Sequence, residues 1–232
     1  MPQTEVYFFR EPKDSSVPLL EWLDDLPSKV QGKCTARIDR LAELGHELRR
    51  PEADLLRDGI YELRTSYQGV HYRMLYFFAG KAVVVLSHGL TKEREVPSRE
   101  IDLAETGRRR SKRILSSSRL DRSNAMAKKK FHSKASRFLY NRYIAGDPKR
   151  EEEYDEEVIN AEIARKIFEL RTKAGITQQE LADRVGTSKS AICRLEDADY
   201  EGHSLSMLKR IAEALDKRVE IRFLPAKRLR TA

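Results

Sequence analysis

The chain has 232 residues, of which 35% are charged, and its formal net charge is +8 at pH 7. No apolar run approaches the ~18 residues of a membrane span, so the sequence predicts a water-soluble protein without a membrane partner. The positive charge favours a polyanionic partner, most simply nucleic acid; the alternative is an ordinary solvated surface rich in lysine and arginine. Cys34 and Cys193 lie far apart with no further cysteine, so we expect no disulfide framework, no metal or other cofactor, and a reducing, cytoplasmic setting.

The first half of the chain has the pattern of a small α+β domain. An apolar stretch over residues 5–10 predicts a strand, and apolar residues at helical spacing predict helices over residues 17–26 and 28–44. Alternation between glycines then predicts the three strands of an antiparallel meander, over residues 59–66, 70–78 and 81–88. A last helix is expected to begin near Pro97. Two helices on one face of such a sheet make a two-layer domain.

Side-chain alternation places several cations on one surface of this sheet. Arg64 and Arg73 lie on the first two strands of the meander, His88 ends the third, and Lys92 follows it. Metal-free RNA cleavage needs such a cluster, because a 2′-OH must lose a proton while the phosphate and the leaving oxygen are stabilised. This hypothesis predicts one convergent patch that is not tied up in internal ion pairs. The alternative is that Arg64 pairs with Glu62 or another acid and that His88 is an ordinary loop histidine.

Three motifs carry a family resemblance: Tyr61-Glu-Leu-Arg64, Tyr72-Arg-Met-Leu-Tyr-Phe-Phe78 and Leu86-Ser-His-Gly89. With Lys92 and the order of the elements, they resemble the phage-derived HigB branch of the RelE-type toxins over about residues 4–110. The resemblance implies a RelE/ParE-like fold and a metal-free endonuclease that cuts mRNA on the ribosome. It also implies that Arg64 and Arg73 contact phosphate and that Lys92 is a cation or proton-transfer group. His71 and Tyr67 are reserve candidates beside His88, and a ParE-type gyrase poison, which shares the fold, is the alternative activity.

The composition changes in the middle of the chain. Residues 108–122 are basic and rich in serine, and Ser123-Asn-Ala-Met126 follows them. Ser-Asn-Ala before a methionine looks like the remnant of a cleaved affinity tag. The sequence therefore predicts a first domain over residues 1–113 and a linker or tag remnant over residues 114–125. Met126 would then start a second, separate polypeptide, and a natural linker is the alternative.

The second half predicts an all-α domain that ends in a strand. Its leading segment, residues 126–157, contains an aromatic-rich helix over residues 133–144 and an acidic run over residues 151–157 that leads into a long helix. Acids near a helix start interact favourably with the helix dipole, so the run needs no functional explanation by itself. The remainder, residues 158–232, carries further helices, and residues 218–224 alternate as a strand.

Two short helices with a tight turn between them indicate DNA binding. Thr177 and Glu180 have the spacing of a capping box, Gly186 makes the turn, and Ser188 caps the following helix. An inert helix pair is the alternative. The motif resembles the XRE/Cro-like helix-turn-helix family over about residues 163–215. The residues left available to DNA are Gln178, Thr187, Ser188, Lys189, Ser190 and Arg194.

The resemblance assigns roles within that set. It implies that Gln178 contacts the DNA backbone, that Lys189 and Ser190 read base edges, and that Thr187 and Arg194 lie at phosphates. Members of the family bind palindromic half-sites as dimers, and the strand predicted at residues 219–224 is a candidate pairing edge. Packing of this strand within its own chain is the alternative.

Together the halves match the HigB/HigA type II toxin–antitoxin arrangement. The resemblance implies that the second half blocks the first and represses their shared promoter. We expect residues 138–157 to supply aromatics and carboxylates to the toxin-like half, with the acids of residues 151–157 opposing Arg64, Arg73 or Lys92. A transcriptional regulator whose first half is a non-catalytic binding module is the alternative.

Overall fold

The computed structural model describes residues 4–92, 95–115 and 131–222. We call the first two ranges the N-terminal module and the third the C-terminal region. Residues 114–115 of the predicted linker end a helix, and its remainder, residues 116–125 with the Ser-Asn-Ala tripeptide, lies outside the described residues. None of the helices in the described ranges is both long and apolar enough to cross a membrane.

Five strands of the N-terminal module form one mixed sheet in the order β1-β5-β4-β3-β2. Their bounds are β1 (Glu5–Phe8), β2 (Ala53–Arg57), β3 (Ile60–Tyr67), β4 (Val70–Phe78) and β5 (Val83–Lys92). β1 runs parallel to β5 at one edge, and the remaining pairs are antiparallel, so the predicted meander is confirmed as β3-β4-β5. The additional strand β2 joins β3 through Asp58 and Gly59, whose φ angles of 51° and 74° make a tight hairpin turn.

Three helices cover the two faces of the sheet: α1 (Pro18–Asp24), α2 (Ser28–Leu44) and α3 (Ser98–Leu115). α1 and α2 pack on the face that carries Leu63, Met74 and Tyr76. α3 packs on the opposite face, with Ile101 among its buried side chains. The sheet therefore has an apolar cluster on each of its faces.

The C-terminal region is helical, with α4 (Lys134–Tyr143), α5 (Pro148–Lys173), α6 (Gln178–Val185), α7 (Lys189–Leu195) and α8 (Leu205–Ala214). Asp147 caps α5 and Pro148 opens it, so the acidic run lies inside this helix. The strand predicted over residues 218–224 is wrong for residues 218–222, which have no regular structure, and residues 223–224 lie outside the described ranges. A strand needs a neighbouring strand to accept its hydrogen bonds, and residues 131–222 contain none.

The buried side chains of the C-terminal region belong to two separate hydrophobic cores. The helix-turn-helix core, which contains Leu181, Ile192 and Ile211, is made entirely of residues from α5 onward. The side chains before it, among them Leu139 and Tyr154, belong instead to the core of the N-terminal module around α2. α5 contributes to both cores and continues without a break through the domain boundary expected at residues 157–158.

Candidate functional site

Arg64 and Arg73 are direct partners in the register of β3 and β4, so their side chains lie on the same surface of the sheet. Together with His71 they line a cavity of about 290 Å³ between the N-terminal module and the C-terminal region. The structure thus brings together the two arginines that the sequence singles out, and it adds the reserve candidate His71.

Both arginines are held in ion pairs within the N-terminal module. Nε of Arg64 donates to Oε1 of Glu62 (2.6 Å), and Nη2 of Arg64 donates to Oδ2 of Asp54 (3.0 Å). Nε of Arg73 lies 3.2 Å from Oε2 of Glu62. The expected freedom from internal ion pairs is therefore wrong, and the alternative pairing of Arg64 with Glu62 is what the structure has. The reason is that the Glu62 carboxylate is buried on the same face of the sheet, where it needs charged partners.

The surface nevertheless keeps an excess of positive charge. Asp54 also pairs with Arg50, through an Nη2–Oδ2 contact of 2.6 Å. Three guanidinium groups (those of Arg50, Arg64 and Arg73) therefore share two carboxylates. Burial lowers the pKa of Arg73, and the nearby charge of Glu62 opposes this change.

The structure does not bring His88 to the two arginines. Its Nδ1 lies 2.9 Å from the hydroxyl of Ser87, and its Nε2 lies 3.4 Å from Oε2 of Glu100 on α3. It lines a different, much smaller cavity beside Phe9 and Gly107. A register shift between Met74 and Tyr76 occurs where β4 passes this part of β5. His88 is thus covered by α3, and burial lowers its pKa despite the neighbouring Glu100.

The other two candidates of the sequence lie near the same end of the sheet. The backbone of Lys92 pairs with His71, which places this residue beside the cavity, although its side chain lies outside the described part of the structure. Tyr67 packs against the α2-side core, and its hydroxyl accepts a hydrogen bond from Nε2 of Gln68 (3.3 Å). Alternation along β3 puts Tyr67 on the opposite face from Arg64.

The C-terminal region forms the opposite wall of the arginine cavity. α5 contributes Phe168, α6 contributes Gln178, α7 contributes Cys193, and the segment that follows contributes residues 196–199. Three of those four last residues are acidic. The cations of the sheet therefore face carboxylates of the helix-turn-helix part of the chain.

Asp199 makes the densest of these contacts. Its Oδ2 accepts hydrogen bonds from the backbone N–H of Ser66 (2.6 Å) and from the Ser66 hydroxyl (3.0 Å). Its Oδ1 accepts hydrogen bonds from the Thr65 hydroxyl (2.7 Å) and from Nη2 of Arg37 (3.0 Å). This part of β3 extends beyond the end of β2, so the carboxylate takes the place of a neighbouring strand.

A second carboxylate of the C-terminal region, that of Glu157, is buried against α2. Its Oε2 accepts from Nζ of Lys33 (2.5 Å), and its Oε1 accepts from Nη2 of Arg37 (2.9 Å). Burial alone would lower the pKa of Lys33, but the charges of Glu157 and Asp199 outweigh it and raise that pKa. All three partners in this pair of hydrogen bonds are almost fully excluded from solvent.

These contacts correct the inhibitory arrangement expected from the sequence. The aromatic half of that expectation agrees with the structure, since Phe138 contacts Phe8 edge-on and Tyr140 lies in the shared core. The expectation for the acids is wrong, because Glu157 is the one buried acid in residues 151–157. Its partners are Lys33 and Arg37 on α2, and not Arg64 or Arg73. Helical periodicity explains this: α5 turns Tyr154, Glu157 and Ala161 inward and the other acids outward.

Lys33, Arg37 and Asp199 have no place among the candidate residues derived from the sequence, which included Glu157 but gave it other partners. A signal was present for the two cations. Lys33 and Arg37 fall within the apolar stripe that Cys34 and Ile38 mark on α2. Cations in such a stripe are buried only when acids pair with them, so they indicate a docking partner that carries carboxylates.

The helix-turn-helix has the local structure that its sequence predicts. Thr177 and Glu180 form the reciprocal capping box, and Gly186 makes the turn in the left-handed conformation at φ 68°. The Ser188 side chain accepts from the backbone N–H of Ala191 and so caps α7. The start of the second helix of the motif is thereby fixed relative to the first.

The predicted DNA-contacting residues divide into two groups. Ser188, Lys189, Ser190 and Arg194 are exposed while the N-terminal module is docked, and Thr187 is half-buried. Gln178 instead lines the arginine cavity, and its Nε2 donates to Oε2 of Glu196 (2.8 Å). Arg171 donates to the same carboxylate at 2.5 and 2.9 Å. The orientation of the Gln178 side chain is therefore set by contacts within the C-terminal region.

Comparison with known families places both parts of the chain. Residues 21–109 match the family described as phage-derived protein Gp49-like, and residues 167–221 match the helix-turn-helix family. A search of curated proteins finds no significant match. The chain therefore combines a Gp49-like domain of RelE/HigB type, which has an α+β fold, with an XRE-type helix-turn-helix domain. This is the architecture of a toxin joined to its antitoxin.

Proposed function

We propose that this Gp49-like module is a metal-free endonuclease that cuts mRNA on the ribosome, and that the C-terminal region neutralises it. We propose further that this region binds operator DNA and represses the promoter of the pair. The observation that carries the proposal is the cavity between the two parts. Arg64, His71 and Arg73 form one wall, and residues 196–199 of the C-terminal region form the other. Residues 196–199 cover the side of this wall that faces the C-terminal region, and we propose that this cover keeps RNA away from the arginines in the docked chain.

The residues of the first wall suit phosphoryl chemistry. Each guanidinium has five N–H donors, and the ion pairs with Glu62 and Asp54 use only part of them. Arg64 and Arg73 can therefore hold a phosphate and stabilise its extra charge in the transition state while Glu62 fixes their orientation. His71, which is half-buried beside them, and Lys92, whose backbone pairs with His71, are the proposed proton-transfer groups. His88 has no part in this proposal, because it lies beneath α3.

DNA binding is compatible with the docked state. Lys189 and Ser190 at the start of α7 are exposed while the N-terminal module is docked, and we propose that they enter a major groove in this state. A repressor that stays bound to its toxin would bind palindromic half-sites as a dimer.

One observation favours a second candidate function. Because Arg64 and Arg73 are paired internally with Glu62, the N-terminal module can also be a non-catalytic binding module of a transcriptional regulator. A ParE-type gyrase poison remains a third candidate, since it shares the fold.

A charge reversal at the docking contacts tests the proposal. Glu157→Lys with Asp199→Lys places two positive charges against Lys33 and Arg37, which should separate the two parts of the chain. We expect translation-dependent mRNA cleavage in cells that produce this variant and none with the original chain. Adding Arg73→Ala should abolish the cleavage, whereas adding Arg109→Ala, on the exposed face of α3, should leave it unchanged.

The same experiment separates the three candidates. Growth without mRNA cleavage in the charge-reversed variant would support the non-catalytic regulator. Intact mRNA together with DNA damage would support the gyrase poison. Cleavage that persists with Arg73→Ala would contradict the assignment of the arginine cavity as the active site.

A further inference from the structure

The Asp199 carboxylate fills a polar recess at the open end of β3, which we call the β3 recess and define by Arg37, Thr65 and Ser66. We propose that this recess binds a phosphate of the RNA substrate, and that Asp199 takes the place of that phosphate in the docked chain. The inference deepens the proposed nuclease function and rests on it. It adds a substrate-binding site outside the arginine cluster.

The donors of the recess are those of a phosphate site. One backbone N–H, two hydroxyl groups and one guanidinium converge on the two oxygens of Asp199, at 2.6 to 3.0 Å. Protein contacts to nucleic-acid phosphates use these same groups, namely arginine, serine and threonine side chains and backbone N–H. An ionised acceptor makes each such hydrogen bond about twice as strong as a neutral one. A phosphate oxygen pair can replace the carboxylate without any change of donor.

The recess also needs an anion when the C-terminal region leaves. The acidic partners of Lys33 within 4 Å in the described residues are Glu157, Asp199 and Glu201, and all three belong to that region. Arg37 would keep only Glu52, whose Oε2 lies 3.9 Å from Nη1. That Nη1 atom is buried and makes no hydrogen bond among the described residues. When the C-terminal region undocks, Lys33 and Arg37 lose most of the carboxylates that pair with them. A bound phosphate would replace part of this negative charge.

The position of the recess fits a polymeric substrate. Thr65, Ser66 and Asp199 line the same cavity as Arg64 and Arg73. A strand whose scissile phosphate lies at the arginines therefore passes the recess with a neighbouring phosphate. The recess would hold the strand in place, while the arginine wall would carry the chemistry.

The test removes the carboxylate from the full chain and adds two probes. Asp199→Ala leaves the recess empty, and Asp199→Ser does so with a residue that retains a polar side chain in the turn. The probes are inorganic phosphate and a short 2′-O-methyl ribo-oligonucleotide, which cannot be cut at its own 2′ position. Binding is measured by calorimetry and by the amide NMR signal of Ser66. We expect both variants to bind inorganic phosphate and to shift the Ser66 signal, and the original chain to show neither effect at the same concentration. The oligonucleotide should bind once Glu157→Lys is added to Asp199→Ala, because this change separates the two parts of the chain.

Two controls separate a built site from a general charge effect. Glu201→Ala removes an acid 3.7 Å from Lys33 without emptying the recess, so it should bind no more phosphate than the original chain. Adding Thr65→Val or Ser66→Ala to Asp199→Ala should weaken binding by about tenfold each, as expected for a lost hydrogen bond to a charged group. Equal binding by the Glu201 and Asp199 variants, or no effect of Thr65→Val and Ser66→Ala, would overturn the proposal.

Failure of this inference can be told from failure of the nuclease proposal, since binding is measured without cleavage. If phosphate binds in the recess but the chain never cuts mRNA, the nuclease function and the RNA substrate are contradicted, while the recess is still supported as an anion site. If the charge-reversed chain cuts mRNA but the Asp199→Ala variant binds no phosphate, the recess is contradicted as a binding site, while the nuclease function is supported.

Discussion

The two ends of α5 are buried in different ways. Its first half packs on the N-terminal module through Tyr154 and through Glu157, whose carboxylate joins two cations of α2. Its second half packs through Ile167 against the apolar side chains of α6, α7 and α8. The helix-turn-helix thus closes a core of its own, whereas the buried apolar side chains of residues 131–157 belong to the core of the N-terminal module. α5 therefore joins a helix-turn-helix with its own core to a docking segment whose core is shared with the N-terminal module.

The largest expected effect comes from the charged contact at the docking end. Glu157→Ala removes a carboxylate 2.5 Å from Lys33 and 2.9 Å from Arg37, and both cations would stay buried with less compensation. Breaking a buried pair in this way costs about 3–5 kcal/mol. We expect the free energy of unfolding of the full chain, measured in urea, to fall by about that amount.

Glu156→Ala is the matched control, because its carboxylate is exposed one residue earlier on the same helix. It should change the free energy of unfolding by less than about 0.5 kcal/mol. Equal changes in the two variants would mean that charge pairing does not hold the docking segment in place.

Two core substitutions should show that the two halves of α5 belong to different cores. Leu139 and Leu181 are both fully buried, the first in the shared core and the second in the helix-turn-helix core. Either leucine replaced by alanine should cost about 2–5 kcal/mol through the cavity that it leaves. We expect Leu139→Ala to speed amide hydrogen exchange in α4 and α2 while DNA binding is kept. Leu181→Ala should weaken DNA binding and leave exchange in α4 unchanged. Identical exchange profiles would contradict the division into two cores.

The same division explains what the sequence could predict. The bounds of α2 and of the helix-turn-helix helices, and the order of the meander, follow from periodicity, capping residues and glycines, all of which act over a few residues. The third strand of the meander was predicted wrongly at its end, because it continues from His88 to Lys92. β2 has no counterpart among the predicted strands, because it is a five-residue edge strand with four of its side chains at least partly exposed. The Asp58-Gly59 turn that follows it was the available signal.

The site was less predictable, because its contacts join residues far apart in the chain. The convergence of Arg64 with Arg73 follows from strand alternation, yet their pairing with Glu62 depends on how deeply this carboxylate is buried. The contact between Asp199 and Ser66 spans 133 positions, and no local pattern indicates it. Position 199 lies just after α7, where an aspartate is also an ordinary turn residue.

The smallest expected effect is a pH dependence of docking at the start of the C-terminal region. Oδ1 of Asp39 on α2 accepts from the backbone N–H of His132 (3.0 Å), and Oδ2 of Asp39 lies 3.1 Å from Nδ1 of the His132 ring. The hydrogen bond to Asp39 raises the pKa of His132, although partial burial and the nearby Arg40 oppose it. The charged ring therefore stabilises docking fully below the ordinary histidine pKa of about 6.5, and this contribution is lost as pH rises through the raised value.

Because the His132 side chain is 42% exposed, its contribution should be less than about 1 kcal/mol. The measurement is the free energy of unfolding of the original chain and of His132→Gln between pH 5.5 and 8. We expect the difference between the two proteins to be largest at the acidic end and to shrink toward pH 8. Glutamine keeps the backbone donor to Asp39 and removes only the titrating ring, so the difference isolates the ring from the other histidines. A difference that stays constant over this range, or one that grows with pH, would show that the ring takes no charged part in docking.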